Sequence, residues 1–599
     1  MTGARGATMT GARGATMTGA LVARVLTDVS GIDKEFDYTV PAHLADEAQV
    51  GCKVRVDLAG RRVGGWIVAL GELSRDPDLA ISPEGSRPAL KAVAALRGWG
   101  PTADLVDLAA WAAWRWAANR ALFLGTASSR NAVRHLPAPR LAPPAPPPAL
   151  RLPTGPGAHV VAIGPAEDPT VIVAQAAQLG PLLVIVPTAS RAAVLARRLR
   201  RAGGDVALLP EEWAQARAGA AVIVGSRGAA WAPCPGVAAV VVIDAHDELH
   251  TSERAPTWNS VGVAVERSER AGVPCYLITS CPGPELVALG PTTTFEAAKQ
   301  KAGWASMQLV DQRSEDPRLG LYSSRLVDLL RSTEKVACVL NTTGRVRLLA
   351  CGACGTVARC DVCHAAVSSP EPGVLSCQGC GAMRPYVCAS CTSIRLSWLR
   401  VGTSRAREDL ERLGGRDVGE VTAATKDFPS SSVLVGTEAL LRRLDPSSGF
   451  ATIVFLDFDR ELLAARFGAA EHSLALLSTA SRLVRGAAGL VVVQTRMPDH
   501  PVLQAATVGD PAVALSEEDS ARRALRLPPY GALALISGAG GEAWIASLRE
   551  RHDGTVEVMG PNDGKWLVKA PDHRRLCDLL RSVGPPGGNV RVAVDPQRL

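Results

Sequence analysis

The sequence lacks any run near the ~18 consecutive apolar residues that a membrane-spanning helix needs, so the expectation is a cytoplasmic protein with no membrane partner. It also lacks a strong charge of either sign. With 65 Lys and Arg against 58 Asp and Glu, the net charge is only +7, which is compatible with nucleic acid but does not argue for it. A third absence is local: no lysine or arginine occurs between Arg151 and Arg191. The chain is not short of apolar residues, and a share of 47% over 599 residues excludes a mainly disordered protein and leaves room for several cores. The opening words MTGARGATMTGARGATMTGA are a tandem octapeptide with no apolar centre, so residues 1–19 read as a disordered tail rather than a secretory signal.

Periodicity divides the rest. Short alternating stretches such as ALVARVL, FDYTVP, KVRVDL and GGWIVAL predict a small β domain over 20–98, and the Ala- and Trp-rich pattern that follows predicts a helical segment over 99–135. The proline-rich stretch 136–157 cannot form a helix or an inner strand and marks a linker. Beyond it, apolar runs (PLLVIVP, AVIVG, AAVVVID, CYLITS) alternate with helical stretches, the rhythm of a buried parallel sheet, over 158–300. A second set (VACVL, VLVGT, ATIVFLD, GLVVVQT) covers 301–350 and 392–510, interrupted at 351–391, and a small α+β domain is expected over 511–599. The whole is multidomain α/β.

Eight of the 14 cysteines lie in the interrupting segment, as four Cys-x-x-Cys pairs. Each pair can place two thiolates on one tetrahedral metal, and Zn²⁺ takes four. Eight thiolates make two closed sites with no position for a catalytic water, so two structural Zn²⁺ are expected. Disulfides, a redox pair and an iron–sulfur centre are the competing readings. The loop between Cys363 and Cys377 is long enough to fold the inner pairs together, which brings the outer pairs to one place. The expected sets are therefore Cys351, Cys354, Cys388 and Cys391 on one zinc, and Cys360, Cys363, Cys377 and Cys380 on the other. His364 is left as a neighbour. The remaining cysteines, Cys52, Cys234, Cys275, Cys281, Cys338 and Cys577, read as small buried hydrophobes.

With this insertion, and with FDYTVP, GTSRAREDL, VLVGTEAL, QTRMPDHPVLQAA and ARRALRLPPYGALALI around it, the chain resembles the PriA family of bacterial replication-restart helicases (primosomal protein N′). The resemblance implies a 3′-DNA-end-binding β domain, a winged-helix-like segment at 99–135, two RecA-like helicase lobes with an inserted double zinc ribbon, and a small C-terminal domain. Implied partners are branched DNA and replication forks with a 3′ end, primosome and replisome proteins that load the replicative helicase, and single-stranded-DNA-binding protein, at the nucleoid. By the same resemblance Phe36, Asp37 and Tyr38 sit at the 3′-end pocket with Arg61 and Arg62 nearby, Trp258 is a remnant of an aromatic DNA-contacting loop, and Arg442 and Arg443 contact DNA backbone. For Phe36 and Tyr38 core packing is the competing reading, as it is for Trp258. For the arginine pair it is a solvated helix face.

The motor motifs depart from the family. A helicase needs a glycine-rich loop whose lysine contacts the β- and γ-phosphates. The loop expected in HVVAIGPAEDPTVIV offers instead Glu167, Asp168 and two prolines. The strand end VVIDAHDELH retains Asp244, but Ala245 occupies the position of the glutamate expected to activate water, followed by His246. The last motif retains Arg482 and Arg485 without its glycines. These losses predict a degenerate nucleotide site with no ATP hydrolysis, like the actinobacterial branch of the family. The expected function is fork recognition and replisome reassembly without a motor. The alternatives are an ATP-dependent 3′–5′ helicase with diverged motifs and a zinc-ribbon protein–protein scaffold.

Overall fold

The computed structural model describes residues 21–29, 31–72, 90–138, 152–315, 321–341, 349–362, 364–377, 380–398, 403–464, 466, 468–552, 554–584, 587 and 589–597. The tail 1–19, most of the proline-rich linker, and Cys363 lie outside them. The chain divides into two compact units, one running to Ala113 and including Asn119–Ala138, the other comprising Trp114–Ala118 and the chain from Pro139 on.

In the first unit five antiparallel strands lie in the order Glu35–Thr39, Leu21–Thr27, Arg61–Glu72, Lys53–Leu58, Ala95–Gly98. Alternation does the sorting. Ala23, Val25, Tyr38, Val54, Val56 and Ile67 make the core on one face of the sheet, while their neighbours Val22, Leu26 and Trp66 are buried as well. The segment 99–135, expected as a winged-helix-like part of its own, does not stand apart. Its helices Ala103–Arg115 and Arg120–Ala127 are tied to the strands: Trp66 Nε1 donates to Ser128 Oγ (2.9 Å), Lys53 Nζ to the Ser129 carbonyl (2.6 Å), and Arg120 Nη1 to Glu35 (2.6 Å).

The second unit holds two parallel sheets. The first, of seven strands, runs Thr292–Thr294, Gly157–Ala162, Pro274–Thr279, Ala239–Ile243, Leu182–Ile185, Val222–Gly225, Val206–Leu208. The second, of six, runs Ser306–Asp311, Leu490–Thr495, Thr452–Phe455, Val336–Val339, Val433–Gly436, Val418–Val421. Their central strands are buried at every position, which is why they read as unbroken apolar runs. The cysteine segment emerges between Val336–Val339 and the helix Thr403–Gly414, so it is an insertion in the second lobe. After it, a four-stranded antiparallel sheet (Glu557–Asn562, Lys565–Ala570, Ala532–Ser537, Arg591–Val594) carries the helices Gly541–Arg549 and His573–Val583. The boundary expected at 511 shifts, because Ala514 and Leu515 of the helix Ala512–Leu525 belong to the core of the second lobe. No described helix is long and apolar enough to cross a membrane.

Candidate functional site

The cysteine segment builds its knuckles to one plan. In each, the residue four places after the first cysteine donates its amide to that cysteine's carbonyl: Gly355 to Cys351 (2.9 Å), His364 to Cys360 (3.1 Å), Gly381 to Cys377 (3.0 Å) and Thr392 to Cys388 (2.9 Å). All four of these residues have positive φ, between 58° and 74°. Glycine takes that conformation without strain, and His364 and Thr392 take it because the knuckle requires it. This assigns His364 a backbone task, and its side chain is exposed, as expected of a neighbour rather than a ligand. Amides inside the turns point at sulfur, Ala353 to Cys351 Sγ and Val362 to Cys360 Sγ, each at 3.4 Å.

The folded knuckles bring Cys351, Cys354, Cys388 and Cys391 to one point, and Cys360, Cys377 and Cys380 to another. This is the nested pairing, with Cys363 outside the described residues. Sulfur separations of 3.5 Å (Cys351–Cys391, Cys360–Cys380) and 3.6 Å (Cys354–Cys388) are far beyond the ~2.05 Å of a disulfide. They are close to the ~3.8 Å edge of a tetrahedron with ~2.3 Å metal–sulfur bonds. The donor set therefore fits a thiolate-bound metal. The six scattered cysteines are all buried.

The second candidate site lies at the carboxyl ends of the first lobe's strands, where parallel sheets open a ligand crevice. Asp244 follows Ala239–Ile243, the loop 163–168 follows Gly157–Ala162, and Pro274–Thr279 pairs with both strands. The Asp244 carboxylate accepts hydrogen bonds from Arg191 Nη1 and from Arg482 Nη1 (2.6 Å). Burial pushes this carboxyl up, but the two guanidiniums outweigh it and hold Asp244 well below the usual carboxylate range. Ala245 is buried and its amide donates to the Ile278 carbonyl (2.8 Å). His246 Nδ1 pairs with Thr279 Oγ1 (2.9 Å), and burial lowers the ring's pKa, with Asp244 opposing.

The loop before the first helix is closed on itself. Glu167 accepts from the Gly164 amide (3.0 Å), and burial raises its pKa. Asp168 accepts from the Thr170 amide (3.0 Å) and from Arg198. Amides that could have met phosphate are bonded to the loop's own acids. A Cβ at Gly164 would lie 2.6 Å from the Gln300 carbonyl oxygen and 3.0 Å from Gly303 Cα, so backbone of the second lobe's approach packs directly on the loop. Further links join the lobes: Glu248 to Arg466 and to His472 Nδ1 (2.7 Å), and Ser280 to Ser478 (2.5 Å). Arg485, by contrast, is exposed at a φ of 67°.

Arg191, Glu248 and Arg466 are site residues that sequence reasoning missed. Arg191 lies 53 positions from Asp244, and nothing local announces the pairing.

The expected DNA contacts separate. Arg61 and Arg62 are exposed beside the Ala59–Gly60 turn. Tyr38 is core, 3% exposed, its Oη donating to the Asp57 carbonyl (3.0 Å). Phe36 shares that face and packs partly against the same core, with Lys34 Nζ 5.9 Å from its ring. Asp37 is on the opposite face, where Arg24 Nε donates to it (3.0 Å). Of the two readings of Trp258, its surroundings match packing. It is 9% exposed, edge-on to Trp231 with centroids 6.0 Å apart, with the Arg227 guanidinium 5.6 Å from its ring. Arg442 pairs with Glu438 one turn back, and Arg443 donates to the carbonyls of Thr425 and Lys426.

Residues 24–128 match the 3′DNA-binding domain (3′BD) of PriA. The replication restart protein PriA of Bacillus subtilis (strain 168) is 25% identical over 67% of this chain, an alignment that spans 57% of the relative's own length. The probable replication restart protein PriA of Mycobacterium tuberculosis (strain CDC 1551 / Oshkosh) is 27% identical over 95% of this chain and 92% of its own. A DEAD box protein from Methanococcus jannaschii aligns at 11% identity over 62% of this chain and 87% of its own, with a TM-score of 0.31, too low to bear on the fold. The match over 24–128, the cysteine insertion in a second parallel lobe and the near full-length mycobacterial relative agree in one respect: the chain is similar to PriA replication restart proteins along most of its length.

Proposed function

We propose that this protein recognises branched DNA at stalled or abandoned replication forks, holding a 3′ end, and helps rebuild the replisome there without hydrolysing ATP. The observation that carries the loss of the motor is Asp244. A carboxylate that should hold Mg²⁺ in the nucleotide's reach is held by Arg191 and Arg482, and the loop beside it has turned its amides to Glu167 and Asp168. A triphosphate would have to displace two guanidiniums from a buried carboxylate and then meet two further acids. What the chain retains is binding: the end-binding domain and a ribbon held by two structural Zn²⁺, which present a rigid surface to replicative-helicase loaders and to single-stranded-DNA-binding protein at the nucleoid.

The test is a titration of a fork with and without an accessible 3′ end, in the presence and absence of ATP and Mg²⁺, alongside an ATPase assay. Expected are preference for the 3′ end, affinity indifferent to ATP, steep weakening with salt, and no DNA-stimulated hydrolysis. Hydrolysis abolished by Asp244→Ala would establish the diverged-helicase reading instead, and equal affinity for both forks would leave the scaffold reading.

A further inference from the structure

Phe428 stands in the turn-rich segment that follows the strand Val418–Val421 of the second lobe. Among the described residues it is the one aromatic side chain left exposed, at 40%. Fully covering a phenyl ring is worth ~1.5–3 kcal/mol, and what sets this one apart is its surroundings. The Arg443 guanidinium lies 5.5 Å from the ring centroid, and the same guanidinium is fixed by the carbonyls of Thr425 and of Lys426 (3.1 Å). Pro429, the next residue, is seated against Gly419, where an added Cβ would meet its ring at 2.5 Å, so the loop is pinned on both sides of Phe428. Lys426 is exposed two residues before the ring, and Arg442 is exposed on the helix that carries Arg443.

A pinned, exposed aromatic ring with cations beside it fits one ligand class well. A nucleotide has a base π-face for the ring and a phosphate for the lysine, and stacking tolerates any sequence. The base must be unpaired, because a duplex hides its faces. The segment also follows the carboxyl end of a parallel strand, the side of an open sheet where ligands bind. Asp427 is exposed next to the ring and stays solvated, pointing to contact with a base rather than a dense phosphate track.

We propose that Phe428 is a stacking platform for one unpaired base of single-stranded DNA, with Arg443 its positioning residue and Lys426 meeting the adjoining phosphate. This rests on the DNA-binding reading above and changes the part assigned to Arg443, which holds the ring rather than the DNA backbone.

The test uses the full-length protein and a single-stranded oligonucleotide of about 16 nucleotides carrying 2-aminopurine, read by anisotropy and by quenching of the base analogue. Phe428→Ala and Phe428→Leu should each weaken binding about tenfold and lose the quenching, with the salt slope unchanged because no phosphate contact is removed. Phe428→Trp should keep both signals, and Arg443→Gln should reduce quenching as Phe428→Ala does. Wild-type affinity and quenching in Phe428→Ala, or full function in Phe428→Leu, would overturn the platform while leaving fork binding in place. A wild-type protein with no affinity for any DNA would overturn the platform and the proposed function together.

Discussion

The cysteine ribbon and the cleft at Asp244 sit on the same scaffold and have fared in opposite ways. In the ribbon every described ligand is retained and every knuckle repeats the same turn, down to the positive φ that His364 and Thr392 must bear. In the cleft the frame is present, with parallel strands in register and an aspartate at the strand end, and the proposed function takes the chemistry to be gone. The difference follows from what each site needs. A metal set is satisfied only by its full complement of thiolates, because losing one leaves an open valence and an unstapled loop. A buried carboxylate can be neutralised by any nearby guanidinium, and Arg191 and Arg482 neutralise Asp244. On the proposed function, a vacated nucleotide site would persist in this way as an ion pair between lobes.

The largest expected effect lies on the ribbon side. The protein should carry two zinc ions per chain by elemental analysis, and Cys360→Ser should release one and weaken the other, since the inner knuckles position the outer ones. Structural zinc is worth ~10–16 kcal/mol in isolated finger peptides at neutral pH, so limited proteolysis should open residues 349–398 in the variant. A content of one metal per chain, or iron in place of zinc, would break the comparison at its firmer end.

On the cleft side Asp244→Ala should destabilise the folded chain by ~3–5 kcal/mol, because it leaves two partly buried guanidiniums facing each other unpaired. Denaturant unfolding measures this. A loss under ~1 kcal/mol, the value of an exposed pair, would mean that the ion pair does not hold the lobes and that the cleft is merely empty.

These two sites were unequally legible. Cys-x-x-Cys spacing is a local property, and a knuckle closes within five residues, so the ligand sets could be paired from sequence. The Asp244 contacts span 53 and 238 positions and depend on how strands and lobes come together. The sequence supplied what was missing, a lysine and a glutamate, but not what replaced them. Trp258 was left between two readings for the same reason: its burial depends on Trp231 and Arg227, which only the tertiary fold brings near. The parallel strands were readable because burial on both faces leaves no polar alternation. The standing of 99–135 was not, since helical periodicity does not say which neighbour a helix joins.

A smaller effect should appear with pH. Asp244 is held below the ordinary range in the folded chain, while an unfolded aspartate titrates near ~3.9. A depressed carboxyl contributes stability that is complete above the unfolded value and is lost as pH falls below it toward the folded one. The stability difference between the wild type and Asp244→Asn should therefore be constant from pH 7 to about pH 5 and shrink below about pH 4. A difference that stays flat through pH 3 would show that the arginines do not set the charge state of Asp244.

The smallest expected effect is a null one. Ala245→Glu restores the carboxylate that would orient water, in the strand-end turn where the motif wants it, yet ATP turnover should stay at background with or without DNA. A general base acts only on a water already placed against a bound γ-phosphate. Here the loop amides are committed to Glu167 and Asp168, the loop is packed on Gly303, and Asp244 is paired twice. Turnover above background in this variant, removed again by Asp244→Ala, would show that the phosphate site survives without a lysine. The cleft would then be one substitution from activity, as near to completion as the ribbon, and the contrast between the two regions would collapse.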